Sequence, residues 1–252
     1  MKLKICFLFI SILFTGCSTL TFKRSGFSTD FFRSLNRTSH GYNIIKDPTG
    51  SAPTENVERF EVRAGDCSYD SVWSDCKNAR ERSEIASNIG SFLGREEKYS
   101  WYIFVPEDWK DVNPASNMYG QFSQPHKPGI DGYGQALFGV MLTTRGLYIE
   151  NFIKFYKQSP TYDIKELKGK WTKIEIHVKW MDDSDDGNSD GFYKIYINGN
   201  LFDEFHGNTA SRYGIDQLLF KYGNYRFFLD RVSFPLPTQV VYYADVKRER
   251  IK

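Results

Sequence analysis

Three segments of this chain concentrate side chains that bind anions or carry protons. Arg80-Glu81-Arg82-Ser83-Glu84-Ile85 brings arginine and carboxylate together. Tyr119-Gly120-Gln121-Phe122-Ser123-Gln124-Pro125-His126 brings amides, a hydroxyl and an imidazole. Leu219-Phe220-Lys221-Tyr222-Gly223-Asn224-Tyr225-Arg226 brings an ammonium, two phenols and a guanidinium. In an extended strand residues i and i+2 share a face. On that parity Arg82 and Glu84 lie together, as do Gln121 and Ser123, and Lys221, Gly223 and Tyr225. Taken singly, each segment also fits the solvated face of a strand, and a tyrosine in such a setting fits the edge of a core.

Other chemistry is sparse. Asp182-Asp183-Ser184-Asp185-Asp186-Gly187-Asn188-Ser189-Asp190 has the composition of a calcium loop. An EF-hand needs an acid at the twelfth position, which here is Tyr193. A solvated hairpin tip and a structural calcium site of another kind both remain open. No other cofactor is expected. His177 alternates with apolar neighbours in IEIHVKW, as a strand histidine does, and His40 and His206 add no zinc constellation.

The elements that must position these groups are short strands. Residues 57–63 alternate apolar and charged side chains, the pattern of a half-buried strand. Residues 100–105, 135–143, 146–152, 171–180, 192–197, 217–220, 225–229 and 240–246 read similarly, and Asn198-Gly199 marks a hairpin turn. Helical periodicity is limited to a turn or two near 106–112 and 163–168. Aromatic residues make up 17% of the 252 residues, which favours β-structure, carbohydrate contact or both. The five tryptophans are mainly core candidates, with one or two available to stack on sugar rings. The expectation is an all-β chain, a jelly roll built as a sandwich of two antiparallel sheets over 43–252. The E-x-D-x-x-E strand motif of the best-known hydrolases on such a sandwich is missing. A net charge of +2 gives no reason to expect nucleic acid as a partner.

Residues 1–16 have a charged start at Lys2 and Lys4 and an apolar stretch too short for a comfortable membrane span, and read as a secretory signal. Leu13-Phe14-Thr15-Gly16-Cys17 resembles a bacterial lipobox, in which Cys17 becomes the lipidated first residue. Each buried CH₂ of an acyl chain adds about 0.8 kcal/mol of membrane affinity. A membrane-anchored exported protein, at the periplasm or cell surface, is the expected product, with residues 17–42 as a tether. Export permits a disulfide between Cys67 and Cys76, which would contribute roughly 2–3 kcal/mol by closing a short loop.

The order of the three segments resembles that of polysaccharide lyases with a concanavalin-like β-jelly roll, which include family 7 alginate lyases and heparin-lyase-I-like enzymes. The alginate lyases carry R-(S/T)-E-L, Q-(I/V)-H and Y-F-K-A-G-x-Y strands in that order. Arg82-Ser83-Glu84-Ile85 matches the first with Ile for Leu. Phe220-Lys221-Tyr222-Gly223-Asn224-Tyr225 matches the third with Tyr222 for Ala. Gln121-Phe122-Ser123 departs from the second, placing Ser where these lyases usually have His; His126 lies three residues on.

The resemblance implies β-elimination on an anionic, uronate-containing polysaccharide, by a protein expected to be a monomer. Tyr225 would be the base and then the acid, helped toward phenolate by nearby cations such as Lys221, Arg82 or Arg226. Arg82 and Gln121 would neutralise the substrate carboxylate, with His126 swinging in from its loop. Glu84, Lys221, Arg226 and Ser123 would contact substrate, Glu84 alternatively orienting Arg82. A second reading is a carbohydrate-binding relative that keeps the groove and has lost catalysis, a reading that Ser123 supports.

Overall fold

The computed structural model describes residues 30–130, 134–153, 157–182 and 189–251. The signal segment and Cys17 lie outside the described residues, as does most of the aspartate-rich loop. Sixteen strands follow in chain order: β1 (Phe31–Arg33), β2 (Tyr42–Lys46), β3 (Asn56–Val62), β4 (Arg80–Ser87), β5 (Ser91–Phe92), β6 (Glu96–Phe104), β7 (Ser116–Pro125) and β8 (Gly134–Thr143), then β9 (Gly146–Asn151), β10 (Lys157–Gln158), β11 (Tyr162–Asp163), β12 (Trp171–Lys179), β13 (Phe192–Ile197), β14 (Asn200–His206), β15 (Gln217–Phe227) and β16 (Gln239–Arg250). Among the described residues one short α-helix, α1, covers Ile164–Leu167. The turn or two of helix expected near 106–112 is not formed.

The strands build two antiparallel sheets, the jelly roll expected from the sequence. One runs β1-β4-β15-β7-β8-β9-β10, with β11 paired to β9 and β5 to β15. The other runs β14-β13-β12-β6-β16-β3-β2. The regular alternation of β12 and β13 sends Ile174, Ile176, Val178, Tyr193 and Ile195 inward. The turn between β13 and β14 has positive φ at both Asn198 (50°) and Gly199 (81°), the backbone that a tight Asn-Gly hairpin requires. Residues 217–220 and 225–227, read separately from sequence, belong to one strand that is bulged between Tyr222 and Tyr225, while 228 and 229, also read as strand, lie beyond its end. Phe31–Arg33, within the expected tether, pairs with β4 at the sheet edge.

Aromatic rings fill the space between the sheets. Trp101, Trp180, Tyr99, Phe122 and Tyr222 are fully buried there. Phe122 stacks on Phe220 with centroids 5.1 Å apart, and Phe138 stacks on Trp180 at 5.8 Å. Tyr222, where the resembling motif has Ala, joins this core and donates its hydroxyl to Glu58 at 2.9 Å. His177 is held by Glu96 at 2.8 Å, as a structural strand histidine would be.

Candidate active site

The three segments become the adjacent strands β4, β15 and β7. Register sets Arg82 beside Tyr225 and Glu84 beside Gly223 on one flank of β15. On the other flank it sets Gln121 beside Lys221 and Ser123 beside Leu219. The outer face of these strands floors a cleft of about 570 Å³, lined by Arg82, Gln121, Ser123, Lys221 and Tyr225 among others.

Gly223 makes the central bulge possible. Its φ is +139°, and a Cβ there would lie 2.3 Å from the Ser83 carbonyl oxygen and 2.8 Å from Phe60. From the core, Tyr243 donates its hydroxyl to the Gly223 carbonyl at 2.7 Å and supports the distorted strand. No side chain rises at position 223, so Glu84 and Gln121 meet over β15, the Gln121 amide donating to Glu84 Oε1.

Arg82 is almost fully committed to the protein. Its Nε and Nη2 donate to the two oxygens of Asp75, each at 2.6 Å, and its Nη1 donates to Glu84 at 3.1 Å and to Ser34 at 3.3 Å. Burial by itself would lower the guanidinium pKa. The charges of Glu84, Tyr225 and Asp75 overcome it, and the group is held above its ordinary value. The paired edge expected to grip a substrate carboxylate is therefore taken by Asp75. The guanidinium lies over the Tyr225 ring, 4.2 Å from its centroid, so Arg82 acts on this site as a fixed charge.

Two cleft groups carry their charge differently from expectation. Burial pushes the Tyr225 phenol up to about 12, although Arg82 and Arg80 pull the other way. The cations are adjacent, as expected, but desolvation wins. Lys221 has its pKa lowered, first by burial and then by Arg82, with Glu84 opposing. No ion pair holds Lys221 among the described residues, which leaves its ammonium available to an anion.

Several residues expected at the site are elsewhere or do something else. Arg226 points to the opposite face of β15 from Tyr225, fully buried, where it donates to Glu81 at 2.7 Å and to the Pro237 carbonyl at 2.7 Å. Strand parity, which puts Tyr225 in the cleft, removes Arg226 from substrate. Glu84 is only 3% exposed, and its two oxygens serve Gln121 and Arg82, so it orients them and does not meet substrate. His126 forms a β-bridge with Gly214 beyond the end of β7 and is not among the residues lining the cleft. Ser123 does line it.

The structure adds residues that sequence reading missed. Cys67 and Cys76 form the expected disulfide, and the loop it closes carries Trp73 to the cleft and buries Asp75 against Arg82. Trp73 donates its indole N–H to Asp75 at 2.9 Å. Tyr148 and Glu150 enter from β9, and burial pushes the Tyr148 phenol up to about 12 and raises the Glu150 carboxyl. Asp75, beside Cys76, carried no sequence signal, because its seven-residue separation from Arg82 means nothing until the loop is folded.

A jelly roll whose open sheet face presents cations, an amide and a phenol in one aromatic-rimmed trough has the character of a carbohydrate-active protein. The polysaccharide lyase family model matches residues 21–247, and the chain belongs to that family of enzymes. Among solved structures, an endo-β-1,4-glucuronan lyase from the fungus Trichoderma reesei is similar with a TM-score of 0.62 and 17% identity, over 86% of this chain and 90% of that one. AlgAT5, an alginate lyase from polysaccharide lyase family 7, has a TM-score of 0.57 and 11% identity, over 89% of this chain and 95% of that one. The family 7 alginate lyase A1-II' in complex with a product has a TM-score of 0.58 and 10% identity, over 88% and 95%. These likenesses are of fold. No curated protein sequence matches the chain.

Proposed function

We propose that the protein cleaves a uronate-containing polysaccharide by β-elimination in this cleft. The reaction takes the proton from C5, forms the C4–C5 double bond and breaks the bond from C4 to the linking oxygen, which leaves with a proton. Loss of H5 beside a carboxylate builds a second negative charge, and the site must offset it. Lys221, the remaining N–H of Gln121 and the fixed charge of Arg82 are suited to that task.

Tyr225 carries the proton. A phenol with a raised pKa is rarely ionised at neutral pH but is a strong base when it is, and afterwards a competent acid toward the leaving oxygen. The observation that carries this reading is the placement of the Arg82 guanidinium 4.2 Å from the Tyr225 ring in the same cleft as Lys221 and Gln121. The names of the similar structures, a glucuronan lyase and alginate lyases, support a uronate as the substrate. The N-terminal reading adds that the enzyme works at a membrane surface through lipid on Cys17; mass spectrometry of the membrane fraction would find the acylated residue.

The test is ultraviolet detection of the conjugated unsaturated uronate over a panel of glucuronan, alginate, heparin-like and pectic polymers. Product from at least one member is expected. Binding to a polymer in sedimentation, with no unsaturated product from any of them, would replace this reading with that of a non-catalytic relative.

A further inference from the structure

One end of the cleft holds two guanidinium groups to which the reaction described above assigns no contact with substrate. Arg80 lies two residues before Arg82 on the same face of β4, roughly 7 Å along the strand, about the size of a sugar ring. It is paired in register with Phe227, whose ring stacks on Tyr225 with centroids 5.4 Å apart. The Arg80 guanidinium lies 4.9 Å from the centroid of Trp73. Its Nε is buried without a hydrogen-bond partner, and no carboxylate pairs with it among the described residues. Arg82, one step along the strand, is saturated by Asp75 and Glu84, so the contrast between the two arginines is sharp.

The second group is Arg231, whose guanidinium lies 3.9 Å from the centroid of Phe228 and likewise has no acidic partner among the described residues. The backbone brings it to Arg80: the N–H of Leu229 donates to the carbonyl of Ala79 at 3.0 Å. Trp73, Arg80, Phe228 and Arg231 all line the cleft. The indole is fixed by its hydrogen bond to Asp75 on the disulfide-closed loop, so this wall is held in place before any ligand arrives.

An apolar ring face beside an unpaired guanidinium suits a pyranose that carries a carboxylate: the sugar face packs on the aromatic ring and the carboxylate meets the arginine fork. We propose that Trp73, Arg80, Phe228 and Arg231 form a second subsite, which binds the carboxylated sugar next to the one that loses its C5 proton. Arg80, held over one face of Trp73, receives the carboxylate with Arg231, and the other face of Trp73 receives the ring. The proposal rests on the uronate-lyase reading above.

The experiment measures KM and kcat for Arg80→Gln, Arg80→Lys and Arg231→Gln on a size series of oligosaccharides from the polymer that the wild-type enzyme cleaves. Arg80→Gln is expected to raise KM about tenfold on oligomers long enough to reach the subsite, the loss of one charged hydrogen bond. The shortest cleavable oligomer should show little change in KM, and Arg80→Lys should recover part of the effect. Calorimetry on Tyr225→Phe, with and without Arg80→Gln, should show the same weakening for uncleaved oligouronate. Unchanged KM and Kd at every length, with an active wild-type enzyme, would overturn the subsite. So would an equal rise at every length, since that is a general disturbance of the cleft. A wild-type enzyme that yields no unsaturated product from any uronate polymer would instead overturn the reading on which the subsite rests.

Discussion

Asp75 grips Arg82 through two parallel hydrogen bonds of 2.6 Å, and by doing so decides what Arg82 can do. The edge of the guanidinium best suited to a substrate carboxylate is spent inside the protein. What remains is a positive charge held over the ring of Tyr225 by a carboxylate that is itself fully buried. On the proposed function, carboxylate recognition then falls to Lys221, Gln121 and the two arginines, Arg80 and Arg231, that have no acidic partner among the described residues.

Asp75→Asn tests this arrangement. Removing one partner of a buried ion pair costs about 3–5 kcal/mol, part of which Glu84 will offset here. The expected result is a lower unfolding midpoint in denaturant together with a fall in kcat, because the charge above Tyr225 loses its anchor. Unchanged kcat in a folded Asp75→Asn protein would show that the position of Arg82 does not matter to the reaction.

Tyr225→Phe keeps the ring beneath Arg82 and removes only the hydroxyl. Turnover should fall about 10²–10⁴-fold, the contribution typical of positioned proton transfer, while oligosaccharide affinity changes little. Product formation monitored alongside calorimetric binding checks both parts.

If one phenol takes the C5 proton and returns it to the leaving oxygen, the hydrogen and the oxygen must lie on the same face of the sugar ring. D-glucuronate and D-mannuronate meet that condition, and their C5 epimers do not. Polymers of the first kind should therefore be cleaved much faster, which a comparison of mannuronate-rich with guluronate-rich alginate would reveal.

Two cations on β15 should respond oppositely to loss of charge. Lys221→Met is expected to raise KM or lower kcat at least tenfold with little loss of stability, since it removes a desolvated charge that has no ion-pair partner among the described residues. Arg226→Met should leave KM nearly unchanged but destabilise the fold by about 3–5 kcal/mol, because Glu81 stays buried without its partner. Denaturant titration and steady-state kinetics on the pair would separate the two faces of the strand.

The pH dependence follows from the raised phenols. Burial pushes Tyr148, Tyr193 and Tyr225 up to about 12, against about 10 in an unfolded chain. The folded protein thus keeps protons that the unfolded chain has released. Stability from these groups is fully present below pH 10 and is lost as pH rises through about 12. Activity should rise with pH on the alkaline side of neutrality as the ionised fraction of Tyr225 grows, then level off where Lys221, with its lowered pKa, loses its charge, because the two effects offset each other until the phenol is fully ionised. Thermal melts and kcat/KM profiles across this range check both limbs.

The amino-acid sequence by itself determined the strands, the two-sheet architecture and the identity of the segments that meet at the cleft. Alternation of apolar and polar residues is a local signal with a period of two, and it survives without knowledge of the fold. It also marked Cys67 and Cys76 as a permitted disulfide pair, which the structure forms. Tertiary structure alone decided which face of β15 looks outward, and so separated Tyr225 and Lys221 from Arg226. It alone brought Asp75 to Arg82, left Arg80 without a carboxylate among the described residues, kept His126 out of the lining and let burial outweigh nearby cations at Tyr225. These outcomes depend on register, on a bulge at Gly223 and on how deeply each group is desolvated. All three are properties of the assembled sheets and have no counterpart in the spacing of residues along the chain.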